Sequence, residues 1–218
     1  CSSNFSLTGN PNIEGNIFAA GNVSLAGNAV IKGNIYSSRD FSSTGSALVD
    51  GDVFAAGSIS TSGNSKIMGN RIENAEVAVQ VMPEINLDWY RKKAQSMGQY
   101  FETDKQFSRE EIINLNGIYF VEGNVSFDNS VKNYSGQALI VSSGSIVLTG
   151  SQELIPADEE SSLGLMSISE ISFSGSSNFG GVIIAQGTLK VSGSGMIEGA
   201  AAAVEVEDFN KDFLYRPS

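Results

Sequence analysis

Carboxylates are the most numerous side chains in this sequence that could do acid or base chemistry. The chain has 24 Asp and Glu and no histidine, so glycoside cleavage by a pair of acids is the main catalytic chemistry that its residue types allow. The candidates fall in three groups, namely Asp50 with Asp52, then Asp158, Glu159 and Glu160, and finally Glu205, Glu207 and Asp208. We expect these groups to lie in a corner, an insertion loop and a terminal segment, settings that are typical of solvated charge. The sequence therefore predicts no catalytic residues and no enzyme activity, and a polysaccharide-cleaving β-helix is the less favoured alternative.

Other kinds of reactive site lack their usual residues. Nucleophilic triads and dyads need a histidine base, and a zinc site would have to be built from carboxylates and the single cysteine, Cys1, which is poor ligation. The sequence contains neither an EF-hand loop nor the Gly-Lys-Ser/Thr ending of a phosphate loop. We expect no cofactor and no metal.

Aromatic side chains recur at a fixed spacing and form the one candidate binding site. Phe18, Tyr36 and Phe54 lie eighteen residues apart, and Ile72 takes the next such position. A column of exposed aromatics needs an explanation. Either a later part of the chain covers the column, or it binds a sugar or a protein partner.

A glycine repeat explains this spacing. From Asn4 to Ile72 glycine recurs every six residues, and only Arg39 breaks the series. A longer period of eighteen residues lies above it, as in Asn12-Ile13-Glu14-Gly15 and Val30-Ile31-Lys32-Gly33. Three hexads therefore form one structural unit, and a fixed short period is the signature of stacked repeats.

Within each hexad, apolar and polar side chains alternate, which predicts strands with one face buried. The predicted inward residues share one parity: Ile13, Ile17, Val23, Leu25, Ile31, Ile35, Val49, Val53, Ile59 and Ile67. An Asn, Asp or Ser follows nearly every glycine. These residues tolerate left-handed backbone or cap their own turn, so each such pair is typical of a corner. Three strands and three corners per eighteen residues predict an all-β fold, a triangular parallel β-helix. Glu14, Lys32 and Asp50 should then be neighbours in a ladder of alternating charge.

The rest of the chain predicts a helical insertion followed by looser coils of the same solenoid. We expect one domain over 1–218, divided into regular coils (1–82), a helical insertion (83–116), irregular coils (117–206) and a C-terminal cap (207–218). Helical spacing runs from Asp88 to Met97, and Ser108 with Glu111 forms a capping box. We expect the insertion to lie at the junction of the two sets of coils and to cover the aromatic column, with Trp89 as a packing anchor.

Charge and hydropathy restrict the partners and the location. A net charge of −11 and a pI near 4.4 disfavour nucleic acid, which requires a basic surface. No apolar run is long enough to span a bilayer. The sequence Cys1-Ser2-Ser3-Asn4 resembles the start of a mature bacterial lipoprotein, although an ordinary thiol is the favoured interpretation of Cys1. We expect an extracellular or cell-surface location, with any anchoring segment outside the given sequence.

Several segments together carry a family resemblance. The Asn-Ile-Glu-Gly-Asn-Ile hexads, the Trp- and Tyr-containing helical segment, Asn116–Gly123 and Gly181–Gly187 resemble the extracellular domain of bacterial PilX-type pilus-assembly-like proteins. The regular coils also resemble those of bactofilins, cytoskeletal β-helices that polymerise end to end. The first resemblance implies a non-enzymatic structural or adhesive module that binds surface or pilus proteins. The second implies self-association through the ends of the solenoid, and carbohydrate binding on the aromatic column remains an alternative.

Overall fold

The structure is a computed structural model that describes residues 1–78 and 81–215, apart from the side chain of Asp208. It confirms the all-β parallel β-helix, here with two short helices. Twelve short strands of the N-terminal half form four regular coils with three strands each. They are β1 (Phe5–Leu7), β2 (Asn12–Glu14), β3 (Ile17–Ala19), β4 (Val23–Gly27), β5 (Val30–Lys32), β6 (Ile35–Ser37), β7 (Phe41–Gly45), β8 (Leu48–Val49), β9 (Val53–Ala55), β10 (Ile59–Thr61), β11 (Lys66–Ile67) and β12 (Arg71–Ile72).

The predicted period of eighteen residues is the register of this stack. Strands β1, β4, β7 and β10 pair in parallel along a first face, and Phe5 is level with Val23. Strands β2, β5, β8 and β11 form a second face, and β3, β6, β9 and β12 a third. The predicted inward residues are buried up to Val53, whereas Ile59 and Ile67 in the last coil are half-buried.

The Asn and Asp residues of the corners act between coils. Asn16 Oδ1 accepts the N–H of Asn34 at 2.8 Å, Asn34 Oδ1 that of Asp52 at 2.9 Å, and Asp52 Oδ1 that of Asn70 at 2.6 Å. These side chains therefore cap the next coil, eighteen residues away. The glycines are needed because the coils approach closely: a Cβ added at Gly33 would lie 2.2 Å from the carbonyl oxygen of Gly15.

The C-terminal half consists of two helices and thirteen strands. They are α1 (Leu87–Met97), β13 (Tyr100–Phe101), β14 (Lys105–Phe107), α2 (Arg109–Ile112), β15 (Leu115–Val121), β16 (Val125–Phe127), β17 (Asn133–Tyr134), β18 (Gly136–Ser142), β19 (Ile146–Leu148), β20 (Glu153–Pro156), β21 (Ser162–Ser167), β22 (Ile171–Phe173), β23 (Asn178–Val191), β24 (Met196–Phe209) and β25 (Asp212–Leu214). The coil length varies, since Leu115 is level with Gly136 and Ala138 with Leu163.

The order of coils in space differs from their order in the chain. The first strand, β1, lies between β4 and β24, and β2 lies between β5 and β25. The N-terminal coils thus build away from the middle of the solenoid, and the C-terminal coils stack back towards it. The prediction that residues 207–218 cap the solenoid is therefore wrong for the described part, because β25 pairs with β2 on one side and with β24 on the other and is an internal strand. Residues 216–218 of the predicted cap lie outside the described residues.

Two predicted boundaries of the helical insertion are also wrong. The regular coils were predicted to run to residue 82, but β12 ends at Ile72 and the described residues between it and α1 are irregular. Val79 and Gln80 lie outside the described residues. At the other end, coils resume inside the predicted insertion, because β13 pairs with β15 and β14 with β16.

The two helices begin and end at recognisable signals. Asn86 caps α1 by accepting the N–H of Trp89, and Gly98 ends it in a left-handed conformation with φ of 70°. The predicted capping box of Ser108 and Glu111 starts α2. Neither helix of the described chain is long and apolar enough to cross a membrane.

Candidate functional site

An apolar column runs along the outside of the third face. In the C-terminal half, the third face is formed by β13, β15, β18, β21 and the middle parts of β23 and β24. Its outward column there contains Phe120, Val141, Met166, Ile184 and Ala202. In the N-terminal half the column contains Phe18, Tyr36, Phe54 and Ile72.

Helix α1 covers only the C-terminal part of this column. Ala94 of α1 is fully buried in one cluster with Phe120, Val141 and Met166, and Tyr90 packs beside them. Arg91 lies over the Phe120 ring, 5.0 Å from its centroid, and pairs with Glu122 and Asp88. We name the covered residues Phe120, Val141, Met166 and Ile184 the covered column.

The predicted aromatic site, Phe18, Tyr36 and Phe54, is not covered by the insertion. Phe18 is 42% exposed. The prediction that the insertion covers this site at the junction of the coils is therefore wrong, since α1 packs on β13 and β15 instead. Trp89 is also not a buried anchor: it is 54% exposed and touches Tyr90 edge-on, with ring centroids 4.9 Å apart.

The three rings form a regular stack, which we name the aromatic ladder. The centroids of Phe18 and Tyr36 are 4.7 Å apart and those of Tyr36 and Phe54 4.9 Å, each pair within 4° of parallel. This distance is the spacing of neighbouring strands. The faces of Tyr36 are thus covered by its neighbours, and the ladder presents ring edges to solvent.

This geometry decides what the ladder can bind. A sugar ring stacks on an open aromatic face, and the ladder offers such a face only at its ends. Within the described residues no ring stacks on the free side of Phe18, and Phe54 is followed by Ile72. Between its ends the ladder is a narrow strip of ring edges.

The three groups of candidate catalytic carboxylates lie far apart from one another in the sequence, and some of their side chains form hydrogen bonds within turns and corners. Asp52 caps a corner, and Asp158 accepts the N–H of Glu160 and the hydroxyl of Ser161 in its turn. Glu207 lies near Lys190 on the first face. Asp50 and Glu159 are exposed and Glu205 is half-buried, and the side chain of Asp208 lies outside the described chain.

Neither the salt bridges nor the acidic side chains of the described chain form a second candidate binding site. Glu14 and Lys32 form the expected salt bridge, 2.7 Å long, and the carboxylates of Glu14 and Asp50 raise the pKa of Lys32. Within residues 1–78 and 81–215, no group of three or more Cys, Asp or Glu side chains could hold a metal ion.

The two ends of the solenoid differ. At one end β10, β11 and β12 pair on one side only, and Met68 is exposed there. At the other end α2 follows the edge strand β14 and buries Ile112. The open edge is the geometry that self-association would require. Sequence reasoning did not find this asymmetry, because the coil order is set by long-range pairing.

Comparisons with known proteins add little to this description. No family model matches the chain, and no curated protein does. Among solved structures, the chain is similar to an ice-binding protein from an Antarctic ascomycete, Antarctomyces psychrotrophicus, with 14% sequence identity and a TM-score of 0.34; the match covers 100% of this chain and 96% of that one.

Proposed function

We propose that this chain is a non-enzymatic structural and adhesive module of a cell surface, and that its aromatic ladder binds a protein partner. The observation that supports it best is the ordered, partly exposed stack of Phe18, Tyr36 and Phe54 on a β-sheet, in which Phe18 is exposed and the other two rings are half-buried. Monomers rarely leave a contiguous apolar surface uncovered without a use. The ladder is preorganised, so its binding costs little side-chain entropy.

The partner is a surface or pilus protein in this proposal. The resemblance of the hexads to PilX-type pilus-assembly-like proteins motivates this choice, and the acidic surface argues against nucleic acid. Carbohydrate is the second candidate, since the terminal ring of the ladder, Phe18, is 42% exposed. We regard a protein partner as the better fit, because a sugar would find an open ring face only at an end of the ladder.

The test is binding of the fluorescently labelled chain to cells of the strain from which the sequence comes. The double substitution Tyr36→Ser and Phe54→Ser removes most of the ladder and should reduce binding at least about tenfold, since the central apolar contacts of an interface carry most of its affinity. A matched control is Val30→Ser with Leu48→Ser, because this outward apolar pair lies on the second face.

Treatment of the cells separates the two partners. Protease treatment should abolish binding and periodate oxidation should leave it intact; the reverse pattern would favour carbohydrate. Equal binding by the ladder variant and the control variant would refute a role of the ladder. A single cooperative thermal unfolding transition in both variants shows that the solenoid is intact.

A further inference from the structure

A cleft lies on the outside of the third face, between the first turn of α1 and the segment 83–86 that precedes it. This segment rests on the sheet, since Gln186 Nε2 donates to the carbonyl of Pro83 at 2.8 Å. The cleft has a volume of about 390 Å³, which lies within the range of small-molecule sites. It is separate from the aromatic ladder.

The cleft has an apolar floor and aromatic walls. Met166 and Ile184 of the covered column form the floor, and Trp89 and Tyr90 form two walls. The two rings are at 89° to each other with centroids 4.9 Å apart, so the edge of one meets the face of the other and the open faces form a corner. Because Trp89 is 54% exposed, its ring is accessible to a ligand.

The charge at the cleft is negative. Glu84 lines it, is exposed, and forms no ion pair or hydrogen bond within the described residues. No Lys or Arg of the described chain lines the cleft, and Arg91 of α1 is directed instead to Phe120 and Glu122. An anionic ligand would find no cation here, whereas a cationic ligand would find an unpaired carboxylate.

The end of the helix does not reverse this charge. The N-terminus of an α-helix carries a partial positive charge from its free N–H groups. Asn86 accepts the N–H of Trp89 at 3.1 Å, and Asp88 places a carboxylate in the first turn. The chain as a whole has a net charge of −11, so its long-range field also attracts cations.

We propose that this cleft binds a quaternary ammonium group, which sits in the corner between Trp89 and Tyr90 with Glu84 as its counter-charge. The faces of aromatic rings attract cations, and tryptophan attracts them most strongly. A quaternary ammonium group has apolar methyl groups, which suit the floor, and no N–H that the floor would leave without an acceptor. This site goes beyond the proposed adhesive function and does not depend on the partner that the aromatic ladder binds.

Intrinsic fluorescence tests the proposal on the full chain, because Trp89 is its only tryptophan. The probe is choline, and the neutral control is 3,3-dimethylbutan-1-ol, which has the same shape with carbon in place of the charged nitrogen. Choline should change the emission of Trp89 in a saturable way. In calorimetric titrations it should bind at least about tenfold more tightly than the alcohol, because the attraction to the rings and the carboxylate requires the charge.

Three variants locate the binding site. Glu84→Gln removes the counter-charge and should weaken choline binding at least about threefold. Glu110→Gln removes the same charge from an exposed position on α2 and should leave the affinity unchanged. Trp89→Leu should abolish the calorimetric signal, and a single cooperative unfolding transition in each variant shows that it is folded.

Vesicles of phosphatidylcholine distinguish a lipid headgroup from a free ligand. Co-sedimentation with the vesicles together with choline binding would assign the site to a headgroup, and choline binding alone would assign it to a free quaternary ammonium compound; both support the proposal. Equal affinities for choline and the neutral alcohol would overturn it, as would undiminished choline binding by Trp89→Leu. A saturable emission change with the neutral disaccharide cellobiose but none with choline would also overturn it and assign the cleft to carbohydrate.

Discussion

The same outward column passes through both halves of the solenoid, but the two halves protect it from water differently. In the C-terminal half, α1 covers Phe120 and its neighbours with Ala94. In the N-terminal half, the rings of the aromatic ladder cover one another face to face and leave their edges exposed. An apolar column can therefore be ordered either by a covering helix or by the strict eighteen-residue register alone.

The interiors of the two halves differ in a similar way. The residue before each second-face strand points inward, and in the regular coils it is small, as with Ala29 and Ala47. In the last C-terminal coil the same position is Lys211, whose side chain passes Gly195 and donates to the carbonyl oxygen of Ser177 at 2.7 Å and to its hydroxyl at 2.8 Å. The irregular coils thus place a cation where the regular coils place a methyl group.

The largest expected effect compares the two parts of the column. Phe120→Ala leaves a cavity beneath α1 and removes the contact with Arg91, so it should lower the free energy of unfolding by about 3–5 kcal/mol. Phe18→Ala removes a terminal, half-exposed ring and should cost about 1 kcal/mol. Urea unfolding measures both, and equal losses would contradict the difference in cover.

A smaller effect is expected from the buried lysine. Burial lowers the pKa of Lys211 to about 8 from its usual 10.5, and the side chain is 1% exposed. Between these values the unfolded chain binds the proton more strongly than the folded one, so stability rises with pH. The gain should be about 2 kcal/mol from pH 7 to pH 9.5 and should be complete above the unfolded pKa.

The control for this pH dependence is Lys211→Met, which keeps the length of the side chain and removes its charge. Urea unfolding of the two proteins at pH 7, 8.5 and 9.5 should give a slope for the original chain and a much smaller slope for the variant. The same rise in both would assign the pH dependence to other groups. Tyr134 does not interfere, because burial raises its pKa to about 12, above this range.

The regular coils could be predicted from the sequence and the position of the helix could not. Residues eighteen apart, such as Ile17 and Ile35, are neighbours because each coil has one length, so the period alone gives the register. The cover over Phe120 depends on the packing of α1 on β15, and the helix sequence by itself does not indicate which outward column it covers.

The corner residues were recognised as a pattern but assigned the wrong role. Asn and Asp after glycine were interpreted as residues that tolerate left-handed backbone or cap their own turn. In the described chain, the one residue other than glycine with positive φ is Asn74. Because a side chain that caps a neighbouring coil needs a partner eighteen residues away, its role becomes visible only when the coils are stacked.

The comparison with the smallest expected effect tests whether corner side chains cap the next coil in both halves of the solenoid. Asn34 Oδ1 accepts the N–H of Asp52 in the regular coils, and Asn124 Oδ1 accepts that of Ser145 in the irregular ones, both at 2.9 Å. Asn34→Ala and Asn124→Ala should each cost about 1 kcal/mol, because each leaves a backbone N–H without its acceptor.

Asn28→Ala is the control, since Asn28 bonds only to the side chain of Asn10 and caps no N–H; it should change urea unfolding least. Similar losses at Asn34 and Asn124 would mean that corner capping holds the coils together whatever their length, whereas a loss at Asn34 alone would make it a property of the strict repeat.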